Sequence, residues 1–223
     1  MKDGPVTVIV GMGPGLALAI AERFASAGHR VVGFGRSPGK VTGSVAALHE
    51  RGLSVELRKA DAADAAGLLR ALQSVERDTG PVEVLVYNAY RASFAPPSRL
   101  SPEDAIADFR VNVLGALVAA QAVLPGMRRR GHGTILFTGS GQALDPTDWL
   151  DAASLAIGKA GLRNLAHSLN AELAASGVHV GTVTVAGMIQ PGTALAPERL
   201  AEVFWQMHEA SRDTRPAERI CRG

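Results

Sequence analysis

A glycine-rich break near the start of the chain separates a strand-like segment from a helix-like one. The run Val6–Val10 contains only β-branched residues, which favour a strand, and apolar residues recur with helical spacing from Leu16 onward. Gly11, Gly13 and Gly15 lie between the two segments. A strand, a glycine turn and a helix in this order are typical of dinucleotide-binding folds, where the backbone approaches a pyrophosphate at the helix N-terminus.

The same glycine pattern also occurs in strand-to-helix turns that bind nothing, so the surrounding sequence has to decide. A second strand over Arg30–Gly35 follows at the distance that a parallel crossover needs. Strand-like and helical segments then alternate along the chain, which indicates an α/β fold. We predict a single doubly wound, Rossmann-like parallel sheet with helices on both faces. Residues 1–223 would form one dinucleotide-binding domain with an integrated substrate pocket, and 212–223 a loose tail.

Composition limits the partners and the compartment. The formal charge of +2 over 223 residues is too small to imply nucleic acid or an anionic membrane as the main partner. Cys221 is the single cysteine, which excludes an internal disulfide and fits a reducing compartment. The six histidines lack metal-ligand spacing, so we expect no metal site. With no charged-then-apolar leader and no uncharged apolar run approaching ~18 residues, we expect a cytoplasmic soluble protein.

Several polar residues follow predicted strands, at the edge of a parallel sheet where ligands bind. Residues 10–17 read V-G-M-G-P-G-L-A, and residues 87–90 read Y-N-A-Y. Asp61 follows the third strand, Asn112 lies in an apolar helical stretch, Ser140 ends the fifth strand, and Lys159 lies on a later helix. In this arrangement the chain resembles the short-chain dehydrogenase/reductase family, whose motifs include T-G-x-x-x-G-x-G and N-N-A-G. The resemblance covers about the first 195 residues.

The resemblance implies roles for individual residues. The family's catalytic set matches Asn112, Ser140 and Lys159, and Lys159 would also hold the cofactor ribose. The other cofactor-binding residues that it implies are Gly11, Gly13, Pro14, Gly15, Leu16, Asp61, Asn88, Ala89 and Gly187. From the residues alone, Ser140 could equally be a turn residue and Asn112 a satisfied buried amide.

One catalytic residue of the family is missing. Its Tyr-x-x-x-Lys motif corresponds to residues 155–159, which begin with Leu155, and the only tyrosines are Tyr87 and Tyr90. In the family this tyrosine acts as the general acid, and losing a positioned general acid typically slows a reaction by ~10²–10⁴. Three alternatives remain. In the first, another group is the acid: Tyr90, Tyr87 or a water held by Ser140 and Lys159. In the second, the substrate is an activated C=C or C=N that needs no phenol. In the third, the protein binds the cofactor without redox turnover, as a sensor, a scaffold or a non-redox catalyst.

The end of the second strand bears on the choice of cofactor. NAD-preferring members of the family carry an acidic residue there, whereas this chain has Arg36 and Ser37. A guanidinium and a hydroxyl suit a 2′-phosphate, which predicts NADP(H) in preference to NAD(H). The alternative is that Arg36 is a solvated loop residue.

Substrate and subunit contacts are predicted from apolar residues. An apolar, uncharged small-molecule substrate would contact Leu144, Trp149, Leu150, Met188, Ile189 and Trp205, although the two tryptophans could instead pack in the core or at an interface. In the family two long helices pair between subunits, and here they correspond to 105–130 and 150–176. The resemblance therefore implies a homodimer or homotetramer.

Overall fold

The computed structural model describes residues 4–211 and 213–223, with only the backbone of Pro38. These residues build a seven-stranded parallel sheet in the order β3-β2-β1-β4-β5-β6-β7. The strands are β1 Val6–Val10, β2 Arg30–Gly35, β3 Val55–Lys59, β4 Val82–Tyr87, β5 Gly133–Ser140, β6 Val178–Ala186 and β7 Glu218–Arg222. The predicted Rossmann-like fold is confirmed. The strand order reverses between β1 and β4, and ligands of such sheets bind in the crevice at this reversal.

Helices cover both faces of the sheet. The helices are α1 Leu16–Ser26, α2 Thr42–Glu50, α3 Ala65–Asp78, α4 Pro102–Phe109, α5 Gly115–Arg130, α6 Ala153–Leu173 and α7 Pro197–Glu209. One core cluster joins the sheet to α3, α5 and α6, and a second joins it to α1, α2 and α7. Two helices begin at a polar N-cap. Asp64 caps α3 and accepts from the Gly67 amide at 2.9 Å, and Ser101 caps α4 and accepts from the Asp104 amide at 3.1 Å. A π-helical turn over Arg110–Leu114, which the sequence did not predict, separates α4 from α5.

The helical run from α4 to α5 is long and apolar. By length and composition alone Pro102–Arg130 could cross a membrane, with a mean hydropathy of 1.4 over its most apolar window. In the fold, however, Ala116, Ala119, Ala120 and Val123 are fully buried in the core cluster beside β4 and β5. The apolar face of α5 therefore packs against the sheet, as in the core helix of a doubly wound fold.

The prediction that 212–223 forms a loose tail is wrong for its second half. Glu218–Arg222 pair with β6 as the last strand of the sheet, while Arg212 lies outside the described residues. The Glu218 carboxylate accepts from the Arg163 guanidinium at 2.6 Å and from the Thr184 hydroxyl at 2.6 Å. Because charged residues dominate this strand, its sequence carried no apolar alternation that would reveal it.

Glu218→Gln is expected to destabilise the protein by about 1–3 kcal/mol at pH 7, because the charge-assisted bonds to Arg163 and Thr184 are weakened. Hydrogen bonding to Arg163 lowers the pKa of Glu218 to about 2. At pH values above about 4.5, the ordinary pKa of the group, the ionised carboxylate contributes its full stabilisation. This contribution disappears as the pH falls towards 2. Urea unfolding across pH 2–7 measures the effect. The control is Glu172→Gln, which weakens the exposed pair with Arg128; equal losses in both variants would contradict the prediction.

Candidate active site

A cleft of about 370 Å³ lies at the carboxyl ends of β1, β2 and β4, at the reversal of strand order. The loops that follow these strands and β3 form its walls. Its lining residues are Val10, Gly11, Met12, Gly13, Pro14, Phe34, Gly35, Arg36, Ala60, Asp61, Ala62, Asn88, Ala89, Tyr90 and Val111. The cleft thus brings together most of the residues that the sequence predicts to bind a cofactor.

Gly11 brings the ends of β1, β2 and β4 close together. The amides of Gly11 and Met12 both donate to the Phe34 carbonyl, at 2.9 and 2.7 Å. Gly11 has a φ of +94°, and a Cβ added there would lie 2.3 Å from the Ala89 nitrogen. A side chain at this position would therefore force the loops after β1 and β4 apart.

The remaining loop glycines leave space above α1. A Cβ on Gly13 would meet no atom within 4 Å, so this glycine faces open space in the cleft. Gly15, with a φ of +83°, precedes α1, whose first turn has no side-chain cap and no acidic residue. Pro14 is exposed, while the Leu16 side chain is buried, so only the backbone of Leu16 is available to a ligand. The free amides and the positive dipole end of α1 suit an anion.

Three hydrogen bonds connect α6 to the glycine loop across the sheet. The Lys159 Nζ donates to the Thr138 carbonyl at 2.6 Å, and the Thr138 hydroxyl donates to the Asn88 Oδ1 at 2.9 Å. The Asn88 Nδ2 then donates to the Gly11 carbonyl at 3.2 Å. Sequence reasoning missed this contact of Thr138, since a strand threonine two residues before Ser140 gives no distinguishing signal.

Lys159 is a buried lysine with unused hydrogen-bonding capacity. It is only 5% exposed, and burial lowers its pKa to about 8. The ammonium has three N–H donors, and the Thr138 carbonyl is its one acceptor among the described residues. The Tyr90 ring lies over this ammonium, with 6.0 Å between the ring centroid and Nζ. Lys159 can therefore donate to the hydroxyls of a ligand beside Tyr90.

Asn112 lies on the π-helical turn, and both polar atoms of its side chain are hydrogen-bonded. Its Oδ1 accepts from the Arg91 amide and its Nδ2 donates to the Arg91 carbonyl, both at 2.8 Å. Gly158 of α6 packs against it, since a Cβ there would lie 2.6 Å from the Asn112 Cβ. Asn112 thus holds the segment after β4 against α6.

A buried carboxylate fixes the same segment. Asp108 is fully buried and accepts from the Arg91 guanidinium, from the Ser93 amide at 2.6 Å and from the Ser154 hydroxyl at 2.5 Å. Sequence reasoning missed this network, although an acidic residue four positions before Asn112 in an otherwise apolar helical stretch was a possible signal.

The structure distinguishes the remaining catalytic candidates. Ser140 is half-buried and caps the short 3-10 turn Gly141–Ala143, with its Oγ 3.4 Å from the Gln142 amide. Leu155 is 9% exposed and lies one turn before Lys159. Tyr87 is fully buried and its hydroxyl donates to the Val111 carbonyl, so its proposed role as a proton donor is wrong. Burial also raises the pKa of Tyr87.

The predicted cofactor residues at the periphery differ in their placement. Arg36 and Ser37 are exposed, and the Arg36 guanidinium forms no ion pair with another described residue. Asp61 lines the cleft and accepts from the Ala63 amide at 2.9 Å. Gly187 does not line this cleft; with a φ of +145°, it packs beneath Leu195. Its role in cofactor binding stays a prediction.

The predicted substrate residues fall into two groups. Trp149 is half-exposed and pairs with Phe94, whose ring centroid is 5.6 Å away, while Met188 is 81% exposed. Trp205 instead packs against Phe24 between α1 and α7, with the Arg23 guanidinium 4.3 Å from its ring centroid. Its assignment to the substrate pocket is therefore wrong, and the alternative of core packing holds for it. Within 4–211 and 213–223, no group of three or more His, Cys, Asp or Glu side chains could hold a metal.

Comparisons with known proteins give the same family. The chain is 34% identical to 2-(S)-hydroxypropyl-CoM dehydrogenase 3 of Xanthobacter autotrophicus, over 86% of this chain and 78% of that protein. It is 31% identical to the 3-oxoacyl-[acyl-carrier-protein] reductase MabA of Mycobacterium tuberculosis, over 95% and 80% of the two chains. A metagenomic short-chain oxidoreductase solved in complex with NADP superposes with a TM-score of 0.87 at 26% identity, over 99% of this chain and 97% of the other.

The family model for the short chain dehydrogenases matches residues 5–202, which include the glycine loop, Asn112, Ser140 and Lys159. With the sheet order and the cleft at its reversal, this match shows that the chain belongs to the short-chain dehydrogenase/reductase family.

Proposed function

We propose that this protein is an NADP(H)-dependent oxidoreductase that acts on a small apolar carbonyl, or on an activated C=C or C=N bond. The observation that carries the proposal is the hydrogen-bonded connection from Lys159 through Thr138 and Asn88 to Gly11. It ties the Lys159 ammonium to Asn88 and Gly11, which line the cleft, and the cleft is open above Gly13. The NADP-bound relative and the family match support the same cofactor class.

The residues present fit a dinucleotide. The open space above Gly13 and the uncapped start of α1 at Gly15 would hold the pyrophosphate, with the Leu16 amide as a donor and Pro14 as part of the wall. The free donors of Lys159 would hold a ribose diol. The groups proposed for the adenosine half and for the walls of the cleft are Arg36, Ser37, Asp61, Asn88 and Ala89. When bound, a reduced nicotinamide would supply two electrons and a hydrogen to the substrate carbon.

The chain's own residues would orient the substrate. The Ser140 hydroxyl, at the end of β5, is proposed to donate to the substrate oxygen. Asn112 would act indirectly, by fixing the backbone of Arg91. Leu155 occupies the position that corresponds to the tyrosine of the family's Tyr-x-x-x-Lys motif, and its isobutyl group offers no proton. The proton is therefore proposed to come from another group.

Arg36→Asp is expected to weaken NADPH binding by about 10–100-fold and to leave NADH binding within a few-fold, because the exposed guanidinium would pair with the 2′-phosphate. Fluorescence titration of wild type and variant with both cofactors measures this. Arg70→Asp makes the same charge change at an exposed position of α3 and serves as the control. Equal affinity of the wild type for NADPH and NADH would contradict the proposed preference.

The second candidate function is NADP(H) binding without redox turnover, as a sensor, a scaffold or a non-redox catalyst. Leu155 favours it, because a buried aliphatic side chain stands beside Lys159 where proton transfer is needed. Tight NADPH binding with no reduction of any ketone, enone or iminium compound would support this candidate over the first.

Exposed apolar residues on neighbouring helical segments support a homodimer or homotetramer. Ile106 of α4, Leu114 of the π-helical turn and Ile157 of α6 are 54, 41 and 56% exposed. An apolar surface of this kind is typical of a subunit contact. We propose that the two long helical regions, 105–130 and 150–176, form it.

The single cysteine supports a cytoplasmic location.

A further inference from the structure

We propose that Tyr90 is the catalytic acid of the reduction, in place of the residue at position 155; the inference rests on the proposed function. Tyr90 reaches the cleft from the loop after β4, whereas the family's tyrosine belongs to the helix that carries Lys159. A phenol would then lie above the same ammonium from the opposite wall.

The position of the Tyr90 side chain carries the inference. Its ring centroid is 6.0 Å from the Lys159 Nζ, and it lines the cleft together with Gly11, Asn88 and Ala89. The side chain is 62% exposed, and its hydroxyl makes no hydrogen bond to any other described residue. The phenol is therefore free to bond to a substrate, and the Lys159 ammonium lies beside its ring.

The backbone on both sides of Tyr90 is fixed. Asn88 is bound to β1 through its amide, which donates to the Val10 carbonyl at 2.8 Å, and through its side chain, which donates to Gly11. On the other side, Asn112 holds both backbone groups of Arg91. These two anchors fix the backbone on either side of Tyr90, so the residue itself stays beside the cleft.

Other side chains near Lys159 are less suitable. Tyr87 is fully buried with its hydroxyl donating to a backbone carbonyl, and Leu155 has no ionisable hydrogen. The Ser140 hydroxyl is a very weak acid, so it can polarise a substrate oxygen without protonating it. Tyr90 is thus the one phenol within the described residues that faces the cleft.

The proposed step balances as follows. In this step the substrate C=O would become CH–OH. A bound reduced nicotinamide would supply the two electrons and the hydrogen that joins carbon, while the former π pair on oxygen would take the phenol proton of Tyr90. The O–H bond of Tyr90 breaks, and the resulting phenolate takes a proton from water before the next turnover. Oxidised cofactor and alcohol are the products.

Chemical labelling tests the placement without turnover. N-acetylimidazole, which acylates accessible phenols, is expected to modify Tyr90 and to spare the buried Tyr87, as read by mass spectrometry. NADP⁺ is expected to protect Tyr90 at least 5-fold, because Tyr90 lines the cleft proposed to hold the cofactor. Labelling of Tyr90 that NADP⁺ does not change would overturn its placement beside the bound cofactor.

Variants test the chemical role. Tyr90→Phe is expected to lower kcat for ketone reduction by about 100-fold or more, with NADPH affinity within about 3-fold of wild type. Tyr87→Phe, the matched control, is expected to keep kcat. Leu155→Tyr added to Tyr90→Phe is expected to restore part of the lost rate. Full kcat in Tyr90→Phe would overturn the catalytic role of Tyr90 but leave the proposed function standing. A wild-type protein that binds no NADPH, or reduces no ketone, would contradict the proposed function itself.

Discussion

Replacing Gly13 by valine is expected to raise the Kd for NADPH by at least about 100-fold while leaving the fold intact. A Cβ at Gly13 would meet no protein atom within 4 Å, and its φ lies outside the left-handed region, so the larger side chain costs the folded chain little. The added methyl groups would extend into the space proposed for the pyrophosphate. Steric exclusion of a bound anion is a large effect, because the ligand cannot approach the amides of α1.

Gly43→Val is the matched control, since Gly43 also has no atom within 4 Å of a Cβ and lies at an exposed position of α2. Fluorescence titration with NADPH measures binding, and urea unfolding checks that both variants are folded. Unchanged NADPH affinity in Gly13→Val would mean that the pyrophosphate lies elsewhere, and the assignment of the glycine loop would fail.

Lys159→Met is expected to have opposite effects on binding and on stability. Without the ammonium, NADPH affinity should fall by about 10-fold or more, because the proposed donors to the ribose are lost. Stability at pH 7 should rise by about 1–3 kcal/mol, because methionine fills a similar volume without a buried charge.

The pH dependence of stability distinguishes this explanation from ordinary repacking. Burial lowers the pKa of Lys159 to about 8, below its ordinary 10.5, so the unfolded chain binds the additional proton between these values. The wild type should therefore gain stability as the pH rises from about 8 towards 10.5, and the advantage of Lys159→Met should shrink there. Lys59→Met, at an exposed position of β3, is the control. A variant less stable than wild type at pH 7 would contradict the expectation.

Sequence patterns predicted most of the secondary structure because most strands and helices carry their own local signal. The β-branched run before Gly11 acts over a few residues and forms β1 as predicted, and the Ser101 cap at the start of α4 depends on equally local contacts. The strand β7 has no such signal. It is held by Glu218, whose partner Arg163 lies 55 positions away, and such a pairing is not visible in local periodicity.

At the candidate site, residues with a family motif were easier to predict than those defined by tertiary contacts. Asn88 and Lys159 are connected as a unit only through Thr138, which looks like any strand threonine. Asp108 lies in an amphipathic helix. The helical pattern predicts which side chains are exposed or buried, but it does not predict the hydrogen-bond partners of Asp108. Trp205 shows the converse, because an aromatic residue near the predicted pocket belongs to the contact of α7 with α1.

The buried Asp108 network also has a consequence for conformational entropy. Its bonds to Arg91, Ser93 and Ser154 restrict the loop after β4 while the chain folds. A flexible wall would lose that freedom when the substrate binds, at about 1–2 kcal/mol for each residue ordered. The loop after β4 is already ordered before a substrate contacts it. The binding energy of the substrate is therefore available for its own orientation. We therefore expect substitutions at Asp108, which does not line the cleft, to alter the rate through the order of the loop.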